Sequence, residues 1–382
     1  MQDNSTAGKG KRILLYYYPN KRSVPMETLC SVMNKTGNRL IVLTQQEKGD
    51  FHAELDRLGV ENYVKSFSFR ISVFNYLAHI FYLLKFSRKH KIDVIWSHLN
   101  QCNLVAVLAQ YFMRKRVVIF RHHFHASIKL TGFSSVNKNE RKVDRLINRR
   151  AKEIVVPSLE VYNGMVVYEK AKKEKISIIP YVYDFTRYAQ PDRAGVAAIR
   201  EMYKADLLIV TASRMIKLKR HDLVLPVFEK LIKEGLSVKV LLLDDGEERP
   251  RLEQFVKDRG LENNIFFLGF RTNIIDYLAA ADLLVHPSYT EASSSLVKEF
   301  GLMKKPVIVC AGVGDFDQYI FHMVNGFLVK PPDEAAEFEK NIRFVYDHRE
   351  EANKIGEQLH ESVLRIFSPN EETIGRYLSK VN

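Results

Sequence analysis

The stretch "EASSSLVKE" places two carboxylates, Glu291 and Glu299, on either side of three serines. It lies between the strand-like "DLLVHPS" and the helix-like "LVKEFGLM", so a helix should begin at Ser294 or Ser295. The free N–H groups of a helix N-terminus favour phosphate, and carboxylates accept hydrogen bonds from vicinal hydroxyls. At about 1.5 Å of rise per residue the glutamates lie up to roughly 12 Å apart, about the span from a sugar to a ribose across a diphosphate. A capping glutamate and a solvent-facing helix glutamate are the alternative.

Two cations follow another buried strand. Arg214 comes directly after "LLIVTAS", and Lys219 precedes a helix that should open near His221 and Asp222. A guanidinium fork and an ammonium at a strand end can neutralise a diphosphate. Taken alone, the pair is equally compatible with surface charge; the serine-rich helix start favours the phosphate interpretation.

Histidines cluster at two strand ends in the first half of the chain. His98 ends "IDVIWSH", and "RVVIFRHHFHAS" contains His122, His123 and His125. Imidazoles can hydrogen-bond a sugar or phosphate, or move protons near neutral pH. A lone strand-end histidine is more often structural, but three within four residues favour a ligand-binding role.

Cysteine usage and hydropathy exclude several classes of protein. The three cysteines are scattered without metal-ligand spacing, which fits a reducing compartment. No stretch approaches the roughly 20 apolar residues of a membrane span. We interpret Asp244 and Asp245 as turn residues, not metal ligands. The sequence predicts a cytoplasmic protein, and peripheral attachment to the inner face of the membrane is kept open.

The charge is uneven along the chain. Residues 1–190 hold 32 Lys and Arg against 15 Asp and Glu, a net charge of +17, whereas residues 191–382 hold 26 against 30, a net charge of −4. The basic half could face a phospholipid surface, a phosphate-bearing substrate or nucleic acid, or it could merely aid solubility. The segment 65–91 has aromatic residues and leucines at helical spacing and a basic end. It could be a helix that covers a sheet. Alternatively, together with residues 113–116 and 137–150, it could contact an anionic membrane.

Short apolar runs alternate with helix-length segments from end to end, which predicts parallel, doubly wound α/β sheets. The rhythm restarts at residue 207, so we expect two Rossmann-like domains facing a cleft, at 1–186 and 187–365. Residues 366–382 should form a helix that packs back on the first domain. The predicted strands span residues 12–18, 39–44, 92–98, 116–122, 153–158, 175–180, 207–213, 238–244, 264–270, 282–288 and 305–311.

The second half resembles the signature of retaining glycosyltransferases of family four, which have the GT-B fold. The resemblance covers about residues 205–335 and includes the Glu-x7-Glu pair Glu291 and Glu299, the strand "PVIV" and the segment "NGFLV". "SRMIKLKRHD" resembles the family's Arg-x4-Lys diphosphate clamp. The acidic residue that often follows the family's glycine pair is displaced here, to Asp315 or Asp317.

The resemblance implies a donor site for a nucleotide sugar such as a UDP- or GDP-sugar, with no cofactor and no metal. Glu291 would contact the sugar and Glu299 the ribose. The remaining donor-binding residues it implies are Arg214 and Lys219 for the diphosphate, Ser294, Ser295 and Leu296 at the helix start, and Gly269, Phe270 and Arg271 near the base.

The resemblance also places a histidine beside the donor sugar, and His122 and His123 both match that position. On the acceptor side we expect His98, His125, Asn20 and Lys21; the last two stand where the family usually has a glycine pair.

The expected reaction is retaining transfer of a sugar to a hydroxyl of a glycan or lipid-linked intermediate. A nucleotide-sugar epimerase on the same fold is the main alternative. A phosphorylase would need a pyridoxal lysine and a longer chain. An RNA-binding protein is the alternative outside catalysis, but the sequence has no recognisable nucleic-acid module, so we expect no nucleic-acid partner.

Overall fold

The computed structural model describes residues 10–70, 72–131 and 136–382. The chain divides into two compact units. One runs up to Arg187 and also includes Phe367–Asn382; the other is Tyr188–Ile366. The expected boundaries were 186 and 365.

The first unit is built on a parallel sheet with strand order β3-β2-β1-β4-β5-β6-β7. Its strands are β1 (Arg12–Tyr17), β2 (Arg39–Thr44), β3 (Glu61–Val64), β4 (Val94–His98), β5 (Arg116–Phe120), β6 (Glu153–Val156) and β7 (Ile176–Ile178). Its helices before the second unit are α1 (Val24–Asn34), α2 (Asp50–Arg57), α3 (Ser72–Lys89), α4 (Asn100–Ala109), α5 (Ile128–Thr131), α6 (Lys138–Arg150) and α7 (Leu159–Val167).

The second unit repeats this architecture with strand order β10-β9-β8-β11-β12-β13, again parallel. Its strands are β8 (Leu207–Ala212), β9 (Val238–Leu243), β10 (Ile265–Gly269), β11 (Leu283–His286), β12 (Val307–Cys310) and β13 (Phe327–Val329). Its helices are α8 (Arg193–Met202), α9 (His221–Lys233), α10 (Arg249–Asp258), α11 (Ile274–Ala280), α12 (Ser295–Leu302), α13 (Phe316–Tyr319), α14 (Glu334–Asp347) and α15 (Arg349–Phe367); α16 (Glu371–Leu378) follows in the first unit.

The prediction of two Rossmann-like parallel sheets is confirmed. The central strands β1, β4 and β8 are apolar along nearly their whole length and buried, as expected when helices cover both faces of a sheet. Two strands were missed, β3 and β13. The residues of β3, "ENYV", are only half-buried at the sheet edge, and β13 has three residues, so neither produces a long apolar run.

The C-terminal helix α16 completes the core of the first unit. Tyr377 is buried there, 6.0 Å from the Trp96 ring, and its hydroxyl donates a hydrogen bond to Pro180 O at 3.0 Å. The helix begins after Asn370, whose side chain accepts from Thr373 N at 2.9 Å. The Ser368-Pro369 pair lies just upstream of this N-cap.

Among the residues described, no helix combines the length and the apolar character needed to cross a bilayer.

Replacing Tyr377 with alanine tests the role of α16. We expect the free energy of unfolding of the first unit to fall by about 3 to 5 kcal/mol, because a large buried ring is removed from a packed core. Trp96 is the single tryptophan of the chain and is fully buried, so its fluorescence during urea unfolding reports this unit. The control Tyr377→Phe loses only a hydrogen bond and should cost about 1 kcal/mol. An unchanged transition in Tyr377→Ala would contradict the packing of α16 described above.

Candidate active site

Polar and charged residues from two loops of the second unit, with the last residue of β11, gather at the carboxyl edge of its sheet. Lys219 lies in the loop after β8, His286 ends β11, and Glu291 lies in the loop between β11 and α12. The two loops are joined by a hydrogen bond from Tyr289 N to Leu218 O at 2.8 Å. Carboxyl ends of parallel strands share one edge, which is where ligands bind in such sheets.

The carboxylate of Glu291 is held by two hydrogen-bond donors. Its Oε1 accepts hydrogen bonds from His286 Nε2 at 2.8 Å and from the ammonium of Lys219. Burial alone would raise the pKa of this carboxyl, but the His286 hydrogen bond and the nearby charges of His286 and Lys219 outweigh burial and lower the pKa to about 2. Glu291 is therefore an ionised carboxylate at all physiological pH values.

A glycine loop passes directly beside Glu291. Gly314 has a φ of +58°, and a Cβ built on it would lie 3.0 Å from the Cβ of Glu291. A side chain there would be strained and would push against the carboxylate. The loop between β12 and α13 thus requires glycine at this position.

A fully buried ion pair connects this glycine loop to the start of α12. Lys298 Nζ donates to Asp315 Oδ2 at 2.9 Å, to Ser293 Oγ at 2.9 Å and to Ser294 O at 3.2 Å. Burial lowers the pKa of Lys298, and Asp315 opposes that effect. Of the two acidic residues left open by the sequence, Asp315 makes this pair, and Asp317 accepts from Gly312 N instead.

Helix α12 begins as expected, with Ser294 as its N-cap and Ser295 as its first residue. The Ser294 side chain makes no capping hydrogen bond. Leu296 follows in the first turn, so the N–H groups of this turn point to the same edge of the sheet as Glu291. The arrangement can bind an anionic group at the helix start.

Two charged side chains at the site have no hydrogen-bond or ion-pair partner in the described part of the chain. Glu299 lies on α12 and makes no hydrogen bond or ion pair there; burial raises the pKa of its carboxyl. Arg214 is exposed and also makes no ion pair with any described residue. Lys219, by contrast, is already bonded to Glu291. Of the two cations predicted to bind a diphosphate, Lys219 is thus bonded within the protein and Arg214 is available to a ligand.

The loop after β10 carries the residues assigned to the base. Gly269 has a φ of +68°, its carbonyl accepts from Asp244 N at 2.9 Å, and Phe270 is 74% exposed next to the exposed Arg271. An exposed ring at a sheet edge can stack on a flat heterocycle. Asp244 and Asp245 accept hydrogen bonds from the next backbone amides, at 2.8 and 2.7 Å, which is turn chemistry.

The histidines of the first unit differ strongly from one another. His98 Nδ1 lies 3.0 Å from His122 Nε2, and His122 Nδ1 lies 2.5 Å from the hydroxyl of Tyr181. Burial lowers the pKa of His98 far below its usual value and that of His122 to about 3, so both rings are neutral. His123 is exposed and makes no hydrogen bond with a described residue. Of the two candidates, His123 has the available ring.

His125 belongs to a buried ion network. Its Nε2 bonds to Asp144, which together with Glu169 also binds the guanidinium of Arg121 at 3.0 Å each. His125, Asp144 and Glu169 are close enough to hold a metal ion, but Arg121 already supplies the positive charge that the two carboxylates need. The network stabilises the loop after β5.

The remaining acceptor-side predictions fall after β1. Asn20 lines a pocket of the first unit, and its Nδ2 donates to Glu47 O at 3.0 Å. Lys21 is exposed and is not one of the residues that line this pocket. Their proposed roles stay predictions.

Sequence reasoning missed His286 and Lys298. His286 is the last residue of β11, so its strand-end position was a usable signal. No sequence signal marked Lys298, because a lysine inside an amphipathic helix normally faces solvent.

Two family models match the chain. Glycosyltransferase Family 4 matches residues 26–187, and Glycosyl transferases group 1 matches residues 197–361. Among solved structures, Anabaena Alr3699/HepE in complex with UDP has a TM-score of 0.77 at 20% identity, covering 96% of this chain and 99% of that one. The same protein in complex with UDP-glucose has a TM-score of 0.75. At this identity the structural likeness establishes the fold.

Two curated relatives are also similar. N-acetyl-alpha-D-glucosaminyl L-malate synthase of Bacillus anthracis is 24% identical over 320 residues, 80% of each chain. Poly(ribitol-phosphate) alpha-N-acetylglucosaminyltransferase of Staphylococcus aureus (strain COL) is 22% identical over 264 residues, 68% of this chain; the match spans about half, 52%, of that protein's length.

Fold and matches together define the class: the protein has the GT-B architecture of two Rossmann-like domains. More particularly, the chain belongs to the glycosyltransferases, with a first half of the Glycosyltransferase Family 4 type and a second half of the Glycosyl transferases group 1 type.

The charge state of Glu291 can be tested by the pH dependence of stability. The pKa of the folded state, about 2, lies below the usual 4.5, so the ionised carboxylate stabilises the fold above pH 4.5 and loses its effect as the pH falls toward 2. We expect Glu291→Gln to cost about 3 kcal/mol at neutral pH and progressively less through that window, measured by urea unfolding with circular dichroism.

Glu299→Gln is the matched control. Burial raises the pKa of Glu299, so its ionised form opposes folding at neutral pH. This substitution should stabilise the protein at neutral pH, and the gain should fade on acidification. Equal and pH-independent effects of the two substitutions would contradict the electrostatic description.

Proposed function

We propose that this glycosyltransferase transfers a sugar from a nucleotide diphosphate donor to a hydroxyl of a glycan or lipid-linked intermediate, with retention at the anomeric carbon. One observation carries the proposal: an ionised carboxylate, Glu291, is fixed at the sheet edge beside the α12 N-terminus. Glu299, which bonds to no described residue, lies in the same helix. A carboxylate, an anion-binding helix start and a second carboxylate match, in order, a sugar, a diphosphate and a ribose.

In the proposed reaction, negative charge grows on the leaving diphosphate while the sugar becomes oxocarbenium-like. Arg214, Lys219 and the N–H groups of α12 stabilise that charge more in the transition state than in the ground state. The leaving phosphate oxygen takes the proton of the acceptor hydroxyl on the same face of the sugar. Glu291 accepts hydrogen bonds from the sugar hydroxyls and orients the ring. Of His122 and His123, His123 is the one whose ring makes no hydrogen bond with a described residue and can bind a ligand.

The proposed reaction uses no metal ion. Arg214 and Lys219 supply two positive charges, the role that a divalent cation would otherwise have toward a diphosphate. Transfer should therefore continue in the presence of a chelator.

A screen of nucleotide sugars by thermal unfolding tests the donor assignment, because only a bound donor raises the melting temperature. With the donor so identified, Arg214→Ala should lower kcat/KM at least tenfold, because it removes a cation that has no ion-pair partner among the described residues. Lys217→Ala is the matched control, since Lys217 is exposed in the same loop and should have no effect. Full transfer activity in Arg214→Ala would show that the clamp is misassigned.

A separate binding experiment tests the proposed contact between Glu299 and the ribose. If Glu299 accepts from the ribose, the wild type should bind the nucleoside diphosphate about tenfold more tightly than its 2′,3′-dideoxy form, and Glu299→Gln should reduce that preference. Isothermal titration measures both affinities. An undiminished preference in the variant would place the ribose elsewhere.

We also propose that the first unit contacts an anionic membrane surface. Helix α3 exposes the apolar side chains Val73, Phe74, Leu77 and Phe81 on one face, with Phe81 70% exposed. Helix α4 packs against both α3 and α6, so these two helices lie on the same side of the sheet. The exposed cations of the two helices are Lys85, Arg88, Lys89, Lys138, Lys142, Arg145, Arg149 and Arg150. Apolar side chains beside cations complement an anionic bilayer.

Vesicle sedimentation tests this surface. The protein should sediment with phosphatidylglycerol vesicles and remain in solution with phosphatidylcholine. Neutralising Lys142, Arg145, Arg149 and Arg150 should release it, since each basic residue near the surface contributes about 1 kcal/mol. The control neutralises four exposed lysines of the second unit, Lys233, Lys257, Lys340 and Lys354. Equal sedimentation of both variants would refute the assigned surface.

A further inference from the structure

The first unit contains a pocket of about 550 Å³ that the donor site does not use. It lies where β1, β2 and β3 end, against α3 and the start of α4. Its volume is within the usual range of about 300 to 1,000 Å³ for small-molecule sites. We call it the amide pocket because its polar lining is mainly carboxamide: Asn20, Gln45, Gln46, Asn75 and Gln101.

The floor of the amide pocket is a buried hydrogen-bonded chain. Gln45 Nε2 donates to the hydroxyl of Tyr16 at 2.5 Å, and that hydroxyl lies 3.4 Å from His79 Nδ1. Gln45 is 7% exposed and His79 8% exposed. Because the Tyr16 oxygen accepts from Gln45, its proton is directed to His79 Nδ1, which leaves the ring proton on His79 Nε2.

This chain leaves one acceptor and one donor without partners among the described residues, Gln45 Oε1 and His79 Nε2. Both atoms remain accessible from the pocket, so a ligand group that can both donate and accept a hydrogen bond can replace water there. A hydroxyl group does both.

The amide pocket is nearly uncharged, although the half of the chain that contains it carries a net charge of +17. Of the described residues that line it, none is Lys or Arg, and Glu47 alone is acidic. Burial, with the nearby charge of Lys65, lowers the pKa of His79 to about 4, so the ring is neutral at physiological pH. The Lys65 ammonium lies over the rings of Phe67 and Tyr82, at 4.7 and 5.8 Å.

The remaining lining consists of Ser66 and three aromatic residues, Tyr18, Phe67 and Tyr76. Aromatic faces pack against the apolar C–H face of a sugar ring, while amides bond its hydroxyls. An anionic sugar would meet no lysine or arginine among the described lining residues and would face Glu47.

We propose that the amide pocket binds an uncharged, hydroxyl-rich sugar unit of the acceptor, and that it selects against phosphorylated sugars. The proposal rests on the proposed glycosyl transfer, because the acceptor is the second substrate of that reaction. It assigns specificity to Gln45, His79, Gln101 and Tyr76.

The test uses the full-length protein and ligand-observed NMR with methyl glycosides of glucose, galactose and N-acetylglucosamine, and with the 6-phosphates of the same sugars. At least one neutral glycoside should bind, and its 6-phosphate should bind about tenfold more weakly. Gln101→Ala and Tyr76→Ala should each weaken that binding about five- to tenfold, the effect of one lost hydrogen bond or packing contact. Gln101→Lys should reverse the preference toward the 6-phosphate.

Gln254→Ala and Tyr111→Ala are the matched controls, because both side chains are exposed and lie outside the pocket. The thermal shift produced by the nucleotide sugar is measured on every variant. The pocket proposal is overturned if that shift persists while the 6-phosphates bind the wild type best. It is also overturned if the shift persists while Gln101→Ala and Tyr76→Ala bind glycosides like the controls. Neither result would overturn the proposed glycosyl transfer. If no nucleotide sugar shifts any variant, the proposed function fails first.

Discussion

The ionised carboxylate of Glu291 is the constraint on which the rest of the donor edge depends. It follows a strand that ends in His286, it is bonded to Lys219 from the loop after the neighbouring strand, and a glycine must pass beside it. A buried carboxylate without these partners would be costly enough to protonate. The fold therefore fixes charge and position together, and a ligand that binds here meets an acceptor already oriented.

Elsewhere, buried charges are balanced locally. Lys298 is paired with Asp315, and Arg121 with Asp144 and Glu169, so each of these two buried cations is matched within a few ångströms. The excess cations of the first half consequently lie on the surface, for example along α6, and not in the amide pocket. A strongly basic unit can in this way contain a site suited to a neutral ligand.

The sequence predicted the fold well because buried parallel strands are long apolar runs, and eleven of them were visible. It missed β3, which is short and half-buried, and β13, which has three residues. The same limit applies to the site. Glu291, Glu299 and the start of α12 follow from strand and helix periodicity, but the choice between His122 and His123 depends on which ring bonds to His98 and Tyr181.

By itself, the sequence determined the two Rossmann-like sheets and the positions of strand ends, since local periodicity encodes both. The candidate donor residues came from those strand ends together with the resemblance to the glycosyltransferase family. Only the tertiary structure decided which charged and polar side chains contact one another. Lys298 is buried although its helix pattern predicts exposure, Lys219 is bonded to Glu291 while Arg214 remains available, and Gln45, Tyr16 and His79 form one chain. These partners are distant in sequence, and their contacts arise only when the strands are aligned in the sheet and the loops are brought to one edge.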